Sequence, residues 1–83
     1  AGGGFDNSNN SNATVINSSF SGNSAFGGGG GISNFNSALN VINTNLTGNT
    51  TDGIGGGGGI NNIFGTLNLI NSSLTGNTAT GIG

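Results

Sequence analysis

Apolar residues recur at intervals of two within short segments, and the whole pattern then repeats. Leu39 and Val41 flank Asn40, and Leu67 and Leu69 flank Asn68. Period-two alternation of this kind predicts strands with one buried face. A polar triplet follows each such segment, and then one more apolar position, Phe20, Leu46 or Leu74. The run VINSSFSGN at 15–23 recurs as VINTNLTGN at 41–49 and LINSSLTGN at 69–77. Likewise GGGFDN at 2–7 recurs as GGGISN at 29–34 and GGGINN at 57–62. The apolar residue after the glycines stands at Phe5, Ile32 and Ile60, at spacings of 27 and 28. No 3.6-residue stripe runs through the chain and helix formers are few, so helix is not expected.

A fixed period of this length indicates a solenoid or an array. Gly-Asn recurs at Gly22-Asn23, Gly48-Asn49 and Gly76-Asn77. Both residues tolerate positive φ, so the dipeptide predicts a corner. A second corner is expected at Asn7, Asn34 and Asn62, and a third at Asn17, Asn43 and Asn71. Three short strands and three corners per repeat describe one coil of a parallel β-helix. The expected fold is therefore all-β, a right-handed parallel β-helix (β-solenoid) of three coils, at about 1–26, 27–54 and 55–83 of a single segment. Stacking sets each column above its equivalent, so the three Asn columns are expected to form amide ladders. Phe5, Phe20, Phe26, Phe35 and Phe64 are expected in or beside the interior.

The ends of the sequence match as well. Ile54 to Ile60 is six steps, and so is Ile82 through Gly83 and Ala1 to Phe5. A second copy would therefore continue the repeat in register, and Phe5 and Ile82 are the expected joint. Partners are then copies of the chain, head to tail, with lateral packing through the glycine-rich faces as a further possibility.

Composition narrows the function. The chain has no Lys, Arg or His and a net charge of −2. Nucleic-acid binding needs cations that displace counterions from phosphate, so it is excluded. Electrostatic membrane attachment fails for the same reason, and no apolar run approaches a bilayer span. Without Pro, the 20 glycines do not make a collagen. The absence of Cys leaves the redox compartment undetermined. The chain lacks trypsin sites and also Cys, Met, Trp and Tyr, a composition that suits an extracellular or cell-surface location. The first residue is not Met, which points to a processed or excerpted segment.

FSGN at 20–23 follows the FxxN element of the chlamydial polymorphic membrane protein family. GGGI at 29–32 and 57–60 is close to its companion, GGA followed by Ile, Leu or Val, with glycine in place of Ala. LTGN at 46–49 and 74–77 replaces Phe with Leu. The chain thus resembles bacterial surface parallel β-helix repeat proteins of this type over most of its length. The resemblance implies an extracellular passenger or adhesin whose β-helix is a stalk.

Candidate chemistry is sparse. Asp6 and Asp52 are the only ionisable side chains and occupy different columns, so no carboxylate pair, catalytic site, metal site or cofactor is expected. Gly27 to Gly31 and Gly55 to Gly59 lack the Lys of a phosphate loop. A calcium-binding roll needs an Asp in every repeat, whereas Asp6 corresponds to Ser33 and Asn61. The glycines instead permit close backbone approach. Ser21, Thr47 and Thr75, with Ser24, Thr50 and Thr78, form hydroxyl columns beside the Gly-Asn corner, and the simplest role for them is a solvated surface. Sequons occur at Asn9, Asn12, Asn17, Asn45, Asn49 and Asn71. The expected function is a structural, self-stacking module of an extracellular fibre, stalk or surface coat. The alternatives are an excerpt of a long adhesin or autotransporter stalk and an ice- or polysaccharide-binding solenoid.

Overall fold

The computed structural model describes residues 3–52 and 56–79. The described residues form short strands and no helix. The first repeat supplies β1 (Phe5–Ser8), β2 (Asn12–Ile16), β3 (Ser19–Ser21) and β4 (Ser24–Ala25). The second supplies β5 (Ile32–Phe35), β6 (Ala38–Ile42), β7 (Asn45–Thr47) and β8 (Thr50–Thr51). The third supplies β9 (Ile60–Ile63), β10 (Thr66–Ile70), β11 (Ser73–Thr75) and β12 (Thr78–Ala79). Every strand pairs in parallel with its equivalent one repeat away. The result is four three-stranded sheets, β1-β5-β9, β2-β6-β10, β3-β7-β11 and β4-β8-β12, an arrangement compatible with a β-solenoid.

Each repeat has four strands where the sequence reading expects three. The extra one follows the Gly-Asn corner and has only two residues, too few to show alternation. It is held by the stack itself. Thr50 N–H donates to Asn23 C=O and Asp52 N–H to Ala25 C=O, both at 2.8 Å.

The corners differ in detail from the sequence reading. At Gly-Asn the left-handed residue is the glycine, with φ of 66°, 65° and 65° at Gly22, Gly48 and Gly76. Asn17, Asn43 and Asn71 do turn the chain, at φ of 51°, 50° and 47°. Asn7, Asn34 and Asn62 do not. They lie inside β1, β5 and β9, and the turn comes after each strand, at Asn9 and Asn10, at Asn36 and at Phe64. Two left-handed residues in the first repeat against one in the others explain a change of offset. β1 pairs with β5 at 27 residues, whereas β2 pairs with β6 at 26. The corner absorbs one residue without disturbing either sheet.

Inward side chains alternate along each strand, as the period of two requires. The fully buried apolar residues are Ile32, Leu39, Val41 and Leu46, all from the middle repeat. Around them pack Phe5, Ala13, Val15, Phe20, Ile60 and Leu67, which are only partly buried. The difference comes from position in the stack. Leu46 has Phe20 on one side and Leu74 on the other. Among the described residues Leu74 has a paired neighbour on one side only, and it stays 42% exposed.

Three of the five phenylalanines lie outside this core, contrary to the sequence reading. Phe26 and Phe64 are 87% and 82% exposed. Phe35 occupies an outward position of β5 and meets the Phe64 ring edge-on at a centroid distance of 6.2 Å. Strand parity decides these cases. Phe35 is three residues beyond the inward Ile32, while Phe26 and Phe64 sit between strands.

Leu46→Ala should lower the unfolding free energy by about 2–5 kcal/mol. Phe26→Ser should change it by less than about 0.5 kcal/mol. Urea unfolding followed by far-UV circular dichroism measures both, and a Leu46 loss of only a few tenths would show that its column is not the core.

Candidate functional site

The polar residues with a distinctive environment lie inside the stack. Asn23, Asn49 and Asn77 follow the Gly-Asn corners and turn their amides inward. Asn23 Nδ2 donates to Asn49 Oδ1 at 3.0 Å, and Asn49 Nδ2 donates to Asn77 Oδ1 at 2.8 Å. The same oxygens accept backbone N–H groups, from Asn23 to Asn49 Oδ1 and from Asn49 to Asn77 Oδ1, at 3.0 Å each. Asn49 Nδ2 also donates to Phe20 C=O, and Asn77 Nδ2 to Leu46 C=O, both at 2.9 Å. Asn49 is fully buried. Its burial costs little because both amide atoms are satisfied.

A second column runs through Asn7, Asn34 and Asn62. Asn7 Nδ2 donates to Asn34 Oδ1 at 2.8 Å, and Asn34 Nδ2 to Asn62 Oδ1 at 2.7 Å. Their second protons reach the turn between β5 and β6, from Asn7 to Ala38 C=O at the start of β6 at 3.0 Å and from Asn34 to Ser37 C=O at 2.9 Å. These amides thereby bridge the β1-β5-β9 sheet to the turn beside it.

The third expected Asn column is not a ladder. Asn17, Asn43 and Asn71 are exposed, and the left-handed turn they make directs the next residue inward instead. That residue carries a hydroxyl in every repeat, Ser18, Thr44 and Ser72. Ser18 N–H donates to Thr44 Oγ1 at 3.3 Å, and Thr44 N–H to Ser72 Oγ at 3.0 Å. Each hydroxyl in turn donates to the carbonyl two residues back, Ile16, Ile42 or Ile70. The invariant hydroxyl at this position was the available signal. The more conspicuous Asn beside it masked the column.

The glycine columns explain how the interior closes. A Cβ on Gly4, Gly31 or Gly59 would stand 2.7, 2.9 or 2.8 Å from Cδ2 of Phe20, Leu46 or Leu74. It would also crowd the Nδ2 atoms of Asn23, Asn49 and Asn77, at 3.2, 3.3 and 3.1 Å. Gly3, Gly30 and Gly58 face backbone atoms of Ser24, Thr50 and Thr78 in the same way. The close approach permitted by these glycines is thus made by the chain's own returning segment.

The outer surface offers little reactive chemistry. Asp6 is an exposed residue of β1, and Asp52 is exposed just beyond β8, in a different sheet. Ser21, Thr47 and Thr75 point outward at the ends of β3, β7 and β11. Shallow grooves of about 300 and 290 Å³ flank the Phe35–Phe64 pair; the first, beside Phe64, is lined largely by amides and hydroxyls, and the second, beside Phe35, is more apolar and includes Ile63. Of the expected joint, Phe5 is half-buried in β1, and Ile82 lies outside the described residues.

Asn49→Val removes the amide and leaves Phe20 C=O and Asn23 N–H without that partner. The expected loss is about 2–6 kcal/mol, from roughly 1–3 kcal/mol for each of these two orphaned groups. Asn43→Gly keeps the left-handed turn and should stay within about 1 kcal/mol of the parent. Thermal or urea unfolding of the two variants distinguishes the ladder column from the turn column.

Compared with known proteins, the chain matches no family model, no curated protein and no solved structure.

Proposed function

We propose that the chain is a right-handed parallel β-helix of three coils, acting as a structural, self-stacking module of an extracellular fibre, stalk or surface coat. One observation carries the reading. The inward residues of the third repeat are those of the buried middle repeat, yet they stand open. Leu69 and Leu74 are 44% and 42% exposed, while their equivalents Val41 and Leu46 are 0%. Among the described residues, the strands of the first and third repeats pair on one side only. Such edges present unpaired backbone groups and invite another strand. A further coil with the same columns covers both the apolar residues and the backbone, and a second copy supplies one. Repeat proteins draw much of their stability from such neighbour interfaces.

The extracellular setting draws on composition, since the chain offers no Lys or Arg to trypsin-like proteases and no Cys, Met, Trp or Tyr to oxidation. The resemblance of FSGN and GGGI to surface β-helix repeats points the same way. If the coils belong to a longer adhesin stalk, the next coil is covalent and the packing is the same. Particle length separates the two: separate subunits give filaments of open-ended length, and a covalent stalk has one length.

A polysaccharide-binding role has its own observation. Phe64 exposes 82% of its surface while holding φ at 52°, where the equivalent residues are Asn10 and Asn36. A left-handed non-glycine costs about 1–2 kcal/mol, and an exposed ring beside an amide-lined groove is a platform for a sugar face. On that reading Phe64→Asn gains stability and loses retention on insoluble polysaccharide. Equal retention of variant and parent would remove it.

Stacking makes a metric prediction. Three coils at the interstrand distance of roughly 4.8 Å advance the axis by about 14 Å per copy. Electron microscopy and fibre diffraction of concentrated protein should give filaments with that axial repeat. A monodisperse monomer at every concentration would overturn the proposal.

A further inference from the structure

We propose that the two ends of the stack are chemical opposites, so that copies join in one orientation only, third repeat to first repeat. At the joint Asn62 Nδ2 donates to Asn7 Oδ1 of the next copy, and Asn77 Nδ2 donates to its Asn23 Oδ1. This rests on the stacking reading above and adds the polarity of the joint.

The polarity follows from the direction of the interior ladders. Both Asn columns donate from the earlier repeat to the later one, Asn7 to Asn34 to Asn62 and Asn23 to Asn49 to Asn77. The hydroxyl column runs the same way, from Ser18 N–H to Thr44 and from Thr44 N–H to Ser72. The amides cannot turn over. Asn49 Oδ1 is held by the Asn23 N–H and Asn49 Nδ2 by the Phe20 carbonyl, so exchanging nitrogen and oxygen would break both bonds. Two outer pairs run the other way, Asn68 to Asn40 and Ser73 to Asn45. They lie on the solvated surface, where water competes for the same groups.

In the amide-to-amide series the first repeat therefore offers an oxygen at its open end and the third repeat an N–H. Joined first to first, the interior columns set oxygen against oxygen. Joined third to third, they set N–H against N–H. Only third to first continues the ladders and keeps the sheets parallel.

Asn62→Asp tests this with little damage inside the chain. A carboxylate at 62 still accepts from Asn34 Nδ2, as Asn62 Oδ1 does at 2.7 Å. The internal bond it forfeits is the exposed 3.2 Å donation to Gly65 C=O. Toward the next copy it presents a charged acceptor opposite Asn7 Oδ1. Below its ordinary pKa of about 3.9 the acid carries a proton and donates again. The native titratable side chains are Asp6, outward on β1 beside Asn7, and Asp52, beyond β8. Across the joint the outward Asp6 carries the same sign of charge as the introduced carboxylate. Asn71→Asp is the charge-matched control, exposed at a corner with φ of 47° and outside the ladders.

Sedimentation and electron microscopy at pH 7 and pH 3 read the result, with circular dichroism confirming the fold. At pH 7 the parent and N71D form filaments, while N62D needs a concentration at least roughly tenfold higher, the equivalent of about 1.4 kcal/mol. At pH 3 all three assemble. Added in trace amounts at pH 7, N62D still docks by its intact first repeat and then blocks that end, so labelled parent seeds elongate from one end only. If N62D is unfolded at pH 7, Asn62→Ala, which also lacks the donor, is read in the same seeding assay. Parent filaments with N62D indistinguishable from N71D, or seeds still growing at both ends, would overturn the polarity and leave stacking intact. A parent that never assembles would overturn both.

Discussion

The stack depends on one buried amide being fully bonded. Asn49 has no contact with water, and its oxygen and nitrogen together meet two backbone groups and two other amides. An amide buried without those partners would cost several kcal/mol. Bonded in this way, it ties three successive repeats to one register. A slip of one residue would remove the partners and turn every inward side chain outward.

That amide constrains its surroundings. Its column shares the interior with Phe20, Leu46 and Leu74, and the returning segment passes against both. Gly4, Gly31 and Gly59 lie where a Cβ would strike the apolar side chain and crowd the amide. The two sequence elements repeated in this chain, the glycine run with its apolar residue and the Phe- or Leu-x-Gly-Asn segment, are thus two sides of one contact. Gly22, Gly48 and Gly76 complete it by taking the left-handed turn that brings the following Asn inward.

The interior is consequently a mixture of apolar columns and hydrogen-bonded polar columns. The polar columns carry direction as well as register, because an amide gives at one end and receives at the other. Apolar columns have no such sense. Leu46 packs against Phe20 and Leu74 alike, whereas Asn49 receives from Asn23 and gives to Asn77. Hydrophobic burial holds repeat against repeat, and the amides give the stack a direction.

The sequence by itself determined the repeat, the strand period, the absence of helix and two of the three polar columns. These are carried by strict recurrence: the alternation around Asn40 and Asn68, the Gly-Asn pairs, and the apolar residue after each glycine run. Within one repeat each of these is a local property of backbone and side chain, legible without knowing what lies above or below. The tertiary structure decided the rest. It placed Phe26, Phe35 and Phe64 outside, put a hydroxyl column at Ser18, Thr44 and Ser72 beside the exposed Asn17, Asn43 and Asn71, and added a two-residue fourth strand to each repeat. The reason is geometric. Whether a side chain faces in or out depends on strand parity and on which residue of a corner takes positive φ, and Gly, Asn and, at position 64, Phe all take it here. A strand of two residues exists only because the neighbouring repeat supplies its hydrogen bonds, so nothing within the segment itself could announce it.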